Sequence, residues 1–333
     1  MIEKVVQLIK DSQKILLTTH RQCDGDGLGA ELATYHALKK IGKDVRVLNV
    51  DATPKKYNFL SPKEYIQYFD GEHEAISQTD LALIFDTNDR RLIEPLYQEI
   101  ESKCKSIIFV DHHPILKEGP VPTRDSIINI RAASTGELAY DIIKKLDIPM
   151  DQKIARAIYT SVVFDTQLFR YIRSSPRSHE VAADLLKYEE NPAEVHRCLF
   201  GNFTAPKLKF VADSLSQVEF FDDETLAILH IKTSDFEKVG LNIDDSRDLI
   251  DMIMNIESVK AAAVIREDAP NIYKMSLRSN GSFPVVEIAE EFGGGGHHFA
   301  SGAPLTGAYS EIKNKILVSL RKVAEAAESI SLT

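Results

Sequence analysis

Along the first 111 residues, short apolar runs alternate with stretches whose apolar positions recur every three or four residues. "KILLTT" (14–19), "DVRVLNV" (44–50), "LALIFD" (81–86) and "SIIFVD" (106–111) are nearly continuous in aliphatic and β-branched residues, the pattern of strands buried on both faces. Between and after them, "GAELATYHALKKIG" has helical spacing and ends on Gly42. "STGELAYDIIKKLDIP" opens with a Ser-x-x-Glu start from Ser134 to Glu137 and stops before Pro149. This alternation predicts an α/β domain with a parallel, five-stranded-type sheet and flanking crossover helices. From about 151 to 217 the patterns are mainly helical: "QKIARAIYTSVVFD", "SHEVAADLLKY", "PAEVHRCLF" and "APKLKFVADSLSQV". After 217 strands return at "TLAILHI" (225–231), "KAAAVIRE" (260–267) and "IYKMSLRS" (272–279), the last two joined through the turn-forming "DAPN" as a hairpin. Helical stretches at "DDSRDLIDMIMNI" and "YSEIKNKILVSLRKVAEAAE" complete a smaller α/β domain with a mixed sheet. The expected division is 1–187, a helical connector over 188–217, and 218–333.

Composition narrows the function classes. A length of 333 residues favours two cores over one. The formal net charge of -10 excludes a protein that coats long nucleic acid through bulk electrostatics, although it allows a substrate with few phosphates held locally. Three widely spaced cysteines, Cys23, Cys104 and Cys198, form neither a disulfide framework nor a C-x-x-C knuckle, as expected for a reducing cytoplasm. Charges interrupt the N-terminal segment too often for a signal peptide, and no apolar run reaches the ~20 residues of a membrane span. A cytoplasmic protein without membrane partners is expected.

The chemistry collects at strand ends. "THRQCDGDGLG" (19–29) places His20, Asp24 and Asp26 just after the first strand, Asp86 ends the third apolar run, and Asp111, His112 and His113 end the fourth. Any one of these aspartates alone reads as a helix cap or turn residue. Together, carboxylates crowded at one sheet edge would repel unless a cation or proton joined them. The set has no cysteine and more carboxylates than imidazoles, which favours a hard or borderline divalent ion such as Mn²⁺ over structural zinc, and the ligand count fits two ions better than one.

These residues resemble the DHH phosphoesterase superfamily, in its NrnA-type subfamily of bifunctional oligoribonucleases and pAp phosphatases. "THRQCDGDGLGAELATYHALKKIGK" resembles motif I, "FDTNDRRL" motif II, "VDHHP" motif III and "YTSVVFDTQLFRY" motif IV. "FGGGGHHFASG" is similar to the glycine-rich signature of the DHH-associated C-terminal domain. The resemblance implies two divalent ions, most simply manganese. His20 and Asp24 would hold one, Asp26, His112 and Asp165 the other, with Asp86 shared between them. It implies that Asp111 orients a histidine and that His113 faces the substrate phosphate as a hydrogen-bond or proton donor. Arg278, Ser279, Gly295, Gly296 and His297 would grip the nucleotide end away from the ions. The substrates implied are dinucleotides and other short RNA or DNA oligonucleotides, with pAp as a second substrate, and a homodimer is expected on the same ground.

Other readings stay open at this point. The same domains occur in phosphodiesterases of cyclic dinucleotides or of linear pGpG and pApA. Inorganic pyrophosphatase is disfavoured by the glycine-rich signature, a RecJ-like processive nuclease by the acidic charge, and a non-catalytic nucleotide-binding protein by the complete ligand set. "FRYIRSSPR" (169–177) reads equally as a cleft lining or an exposed loop. Two positions depart from the family pattern: Cys23 stands where motif I usually has proline, which would place an oxidisable thiol by the ions. Gln167 stands where motif IV usually has glycine.

Overall fold

Why the first apolar runs become adjacent strands is visible in a computed structural model, which describes residues 1–71, 74–116, 119–173, 175–201, 203–241, 246, 248–280 and 283–331. The chain divides into two units, 1–202 and 203–333. In the first, α1 (Ile2–Asp11) leads into β1 (Lys14–Thr19), α2 (Gly25–Lys40) and β2 (Asp44–Asn49). β3 (Ile66–Tyr68), β4 (Leu81–Phe85), α3 (Leu96–Lys103), β5 (Ser106–Asp111) and β6 (Ile127–Ile128) follow, then α4 (Thr135–Lys145), α5 (Gln152–Asp165), α6 (Arg177–Leu185) and α7 (Pro192–Phe200). The sheet has the order β3-β2-β1-β4-β5-β6, with every pairing parallel. It therefore has six strands, where a five-stranded type was expected. The edge strands β3 and β6 span three and two residues, too short to leave a periodic signal.

Each central strand is buried on both sides, so its side chains feed two cores. Ile15, Leu17, Leu83, Phe85 and Val110 pack under α1, α2, α4 and α5, while Leu16, Ala82 and Leu48 pack with Leu96 and Ile100 of α3 on the other face. After β1 the chain proceeds outward to β2 and β3, then returns to place β4 on the opposite side of β1. Between β1 and β4 lies the topological switch point, where an open α/β sheet leaves a crevice at its carboxyl edge.

The second unit contains α8 (Ala205–Leu215), β7 (Glu219–Phe221), β8 (Leu226–Ile231), α9 (Thr233–Glu237), α10 (Leu249–Ile253), β9 (Ala261–Ala269) and β10 (Ile272–Ser279). α11 (Val286–Glu291), β11 (Gly295–His297), β12 (Ala300–Thr306) and α12 (Tyr309–Ser331) complete it. The sheet order is β11-β12-β10-β9-β8-β7, mixed because β8 and β9 are parallel and the rest antiparallel. The stretch 188–217 is shared: α7 falls in the first unit, whereas Phe210 and Val211 of α8 pack with Leu229, Ile250 and Val264 of the second. Residues 244, 245 and 247 at the head of "DDSRDLIDMIMNI" lie outside the described residues, and its helix is described from Leu249. Along β10 burial alternates, with Tyr273, Met275, Leu277 and Ser279 inward and Lys274, Ser276 and Arg278 on a half-open face.

Candidate active site

Register builds the centre of the site. Thr19 pairs with Phe85 and Phe85 with Val110, so the next residues, His20, Asp86 and Asp111, line up across three neighbouring strand ends with Asp86 in the middle. Asp24 caps α2 and accepts the amide of Asp26 at 2.9 Å, and Asp26 itself sits inside the first helical turn. These two aspartates thus stand at a helix start. Gly25 and Gly27 are helical as well, and Gly27 is required for clearance, because a methyl there would overlap Thr19 Oγ1 below it. Asp165 arrives from the last residue of α5.

Two groups form around Asp86. In the set His20, Asp24 and Asp86, and again in Asp26, His112 and Asp165, one nitrogen or oxygen from each residue lies within 4.8 Å of the others. His20 Nε2 is 3.3 Å from Asp86 Oδ2; His112 Nε2 is 3.2 Å from Asp26 Oδ2, 3.4 Å from Asp165 Oδ2 and 3.6 Å from Asp86 Oδ1. Through Asp86 the two sets touch. A cluster of this composition can hold divalent cations.

Its electrostatics point the same way. Burial, then the carboxylates of Asp26, Asp24, Asp111 and Asp165, push Asp86 well above the usual carboxylate range. Burial likewise raises Asp165, which stays partly open to solvent, and against burial Asp165, Asp26 and Asp111 raise His112 to about 9. Asp26 is lowered despite its burial by His112, Ser161 and the amide of Thr135. So many acids share so little solvent that cations are the natural compensation.

The supporting shell holds residues that sequence reasoning missed. The amides of Thr135 and Gly136 donate to Asp26 at 2.9 and 3.2 Å, so the amino end of α4 carries its carboxylate, and Ser161 Oγ adds a third donor. Thr135 Oγ1 donates to Asp86 Oδ1 at 3.0 Å. The "STGE" start had been legible only as a helix cap. Ser161 precedes Asp165 by one helical turn, a spacing that could have found it. Asp111 Oδ1 accepts from His113 Nδ1 at 2.8 Å and from the amides of His112 and His113, and Asp111 Oδ2 accepts from Asn88 Nδ2 at 2.6 Å. Asn88, inside "FDTNDRRL", also donates to the His113 carbonyl at 3.0 Å.

The departures take physical form. Cys23 is 1% exposed and packs in the apolar core, which shields its thiol from oxidants. Gln167, Leu168 and Phe169 all have positive φ, at 46°, 61° and 66°, a left-handed turn steadied by Thr166 Oγ1 accepting the Phe169 amide at 3.0 Å. Gln167→Gly is expected to stabilise the protein by about 0.5–1 kcal/mol, since relief of the left-handed strain outweighs glycine's larger freedom when unfolded. Chemical denaturation measures it, and a loss of stability would show the Gln167 side chain to be supporting the turn. Beyond the turn, Arg173 donates to the Ile130 carbonyl at 2.9 Å, Arg177 pairs with Asp141 and Phe169 stacks on His179; Ser174 lies outside the described residues.

In the second unit the end of the glycine run is a strand. Gly295–His297 pairs antiparallel with Ala300–Thr306. Gly296 has φ 137° and its missing Cβ leaves room for the Ala300 carbonyl, so only glycine fits. By register Gly295, His297 and Arg278 share the half-open face, with Arg278 Nε 3.4 Å from Asp251. Ser279 and Gly296 fall at inward positions, and the Ser279 hydroxyl is engaged by the Phe283 carbonyl.

Fold and site define a hydrolase of phosphoester bonds on a doubly wound α/β sheet. The chain belongs to the DHH family: residues 14–162 match the DHH family, N-terminal domain, and residues 226–327 match the DHHA1 domain. It is 28% identical to the bifunctional oligoribonuclease and PAP phosphatase NrnA of Thermus thermophilus, covering 88% of this chain and 84% of that protein. It is 26% identical to the protein of the same name from Mycoplasma genitalium, over 92% of each. Among solved structures, an exopolyphosphatase-related protein from Bacteroides fragilis superposes with a TM-score of 0.88 at 25% identity, covering 98% of this chain and 97% of that one.

Proposed function

We propose that this protein is a manganese-dependent phosphodiesterase and exonuclease that hydrolyses dinucleotides and other short RNA or DNA oligonucleotides to mononucleotides, and that it also removes the 3′-phosphate of pAp. The observation that carries the reading is the pair of carboxylate–imidazole sets meeting at one buried aspartate, Asp86. The names of the Thermus and Mycoplasma relatives support the substrate class. His20, Asp24 and Asp86 would hold one divalent ion, and Asp26, His112, Asp165 and Asp86 the other.

When bound, two such ions supply Lewis acidity toward the phosphoryl oxygens and a water that loses its proton near neutral pH. The chain's own residues position and protonate. Asp111 receives His113 Nδ1, which turns the opposite ring nitrogen to the substrate, where it gives a hydrogen bond or proton to the leaving hydroxyl. Asn88 fixes Asp111 from behind. In the second unit Arg278, Gly295 and His297 would receive a phosphate or base of the substrate, with Ser279 and Gly296 shaping the strands beneath them. Such recognition needs few cations, in keeping with an acidic chain.

The test is a side-by-side assay with Mn²⁺ on a dinucleotide, longer RNAs, pAp, pGpG, intact cyclic dinucleotides and pyrophosphate. The dinucleotide should be the best substrate. Faster turnover of pyrophosphate or of an intact cyclic dinucleotide overturns the reading, and a preference for pGpG over every other dinucleotide moves it to signal turnover. Arg278→Ala should raise KM for the dinucleotide about 10- to 100-fold with kcat nearly kept, the loss of one charged hydrogen-bonded contact of about 1.5–3 kcal/mol. An unchanged KM would remove Arg278 from the site.

A further inference from the structure

One buried acid in the first unit has no part in the mechanism above. Glu31 lies in the second turn of α2 and is fully buried. Its Oε2 accepts from Asn49 Nδ2 at 3.1 Å, while its Oε1 is a buried oxygen without a hydrogen-bond partner among the described residues. Asn49, at the end of β2 and 1% exposed, turns its amide oxygen to β1: Asn49 Oδ1 accepts from the Thr19 amide and from Thr18 Oγ1, each at 3.3 Å. Thr19 is the last residue of β1 and precedes His20 directly. A side-chain relay thus runs from the interior of α2, across β2, to the backbone that carries one of the residues assigned to the ion site.

The relay tolerates one protonation state. An ionised carboxylate with one oxygen unpaired in an apolar core is costly, and Glu31 meets no compensating charge. α2 packs against β1, β2, β4, α4 and α5, and of the described side chains on these elements it is Asn49, a neutral group, that acts on Glu31; no acid or base from them does so. Burial pushes Glu31 up to about 8, with the Asn49 hydrogen bond a smaller pull downward.

We infer that Glu31 is a positioning residue that works as a neutral acid, holding Asn49 against the end of β1 so that His20 is presented to the ion site, and that loss of its proton loosens this edge. The effect on turnover rests on the function proposed above; the effects on stability and ion binding do not. The sign is definite. Glu31 has an ordinary value of 4.5 and a folded value of about 8, so between these the folded chain keeps a proton that the unfolded chain releases. Its contribution to stability is full below 4.5 and is lost as the pH rises through about 8.

The experiment compares wild type, Glu31→Gln and Glu31→Leu. Denaturant unfolding of the chelated full chain is followed by circular dichroism from pH 5 to 9, together with calorimetric Mn²⁺ titration. Glu31→Gln keeps the hydrogen-bonding shape without a titrating proton. Its unfolding equilibrium constant should therefore fall relative to wild type by about tenfold per pH unit across the window. It should bind Mn²⁺ as wild type does at pH 7 and more tightly than wild type at pH 9, the deprotonation of the ion-site ligands being common to both. Glu31→Leu, which cannot engage Asn49, should bind Mn²⁺ at least about tenfold more weakly at every pH, the scale of losing a residue that orients a ligand. Parallel pH curves for Glu31→Gln and wild type overturn the neutral acid, and wild-type Mn²⁺ affinity in Glu31→Leu overturns the positioning role. Both readouts decide even if no oligonucleotide is cleaved.

Discussion

Asp86→Asn is expected to lower kcat/KM on a dinucleotide by about a thousandfold or more, and at the same time to raise the melting temperature of the cation-free protein. The activity loss follows from the position of Asp86, which belongs to the first carboxylate–imidazole set and approaches His112 of the second. Removing its charge takes about 4 kcal/mol or more from transition-state stabilisation. The stability gain follows from crowding: Asp86 is 4% exposed and is raised by burial and by four neighbouring aspartates. Without cations the folded chain retains a proton there that the unfolded chain gives up, so stability is full below the ordinary carboxylate range and drains as the pH climbs through the raised value. A neutral amide escapes that loss. Adding Mn²⁺ should reverse the order. At a hundredfold excess over its Kd an ion that binds only the folded state stabilises wild type by about 2.7 kcal/mol, and the variant should gain far less. Thermal melts in EDTA and in Mn²⁺, beside the assay, check both halves. A variant that melts below wild type in EDTA, or that keeps its activity, contradicts the assignment of Asp86.

His113→Ala should lower dinucleotide turnover by about 10²- to 10⁴-fold, the range for a positioned proton donor. The loss should shrink sharply on an aryl phosphodiester such as bis(4-nitrophenyl) phosphate, whose leaving group departs without a proton. Equal losses on both substrates would leave His113 a charge-binding role only. Because Asn88 donates to Asp111 Oδ2 and to the His113 carbonyl, Asn88→Ala should reproduce part of the effect, about 10- to 100-fold, with the same dependence on leaving group.

How far the sequence reached can be followed residue by residue. The strands from Lys14, Leu81 and Ser106 were legible because parallel strands buried on both faces need uninterrupted apolar runs, and the charged residues that end those runs stand out against them. Edge strands β3 and β6 were not, being too short for any period. β11 and β12 were hidden by composition: "GGH" and "ASGAPLT" have few β-forming residues, and only pairing with β10 makes them strands. The helical setting of Asp26 was not legible, because the glycines on either side of it interrupt the helical pattern, whereas at Gly27 the demand is for clearance over Thr19. Thr135, Ser161 and Asn88 looked like ordinary capping and helix residues, since their partners lie 23 to 135 positions away.

By itself the sequence determined that this is an acidic two-part α/β protein with carboxylates and imidazoles at successive strand ends, because burial and charge leave local, periodic marks. Only the tertiary structure decided which of those ends are neighbours. Strand order puts β4, third among the long strands in the chain, between β1 and β5 in space. That long-range pairing makes Asp86 the residue at which the two carboxylate–imidazole sets meet. It also lets a helix start more than a hundred residues away supply the hydrogen bonds that hold Asp26.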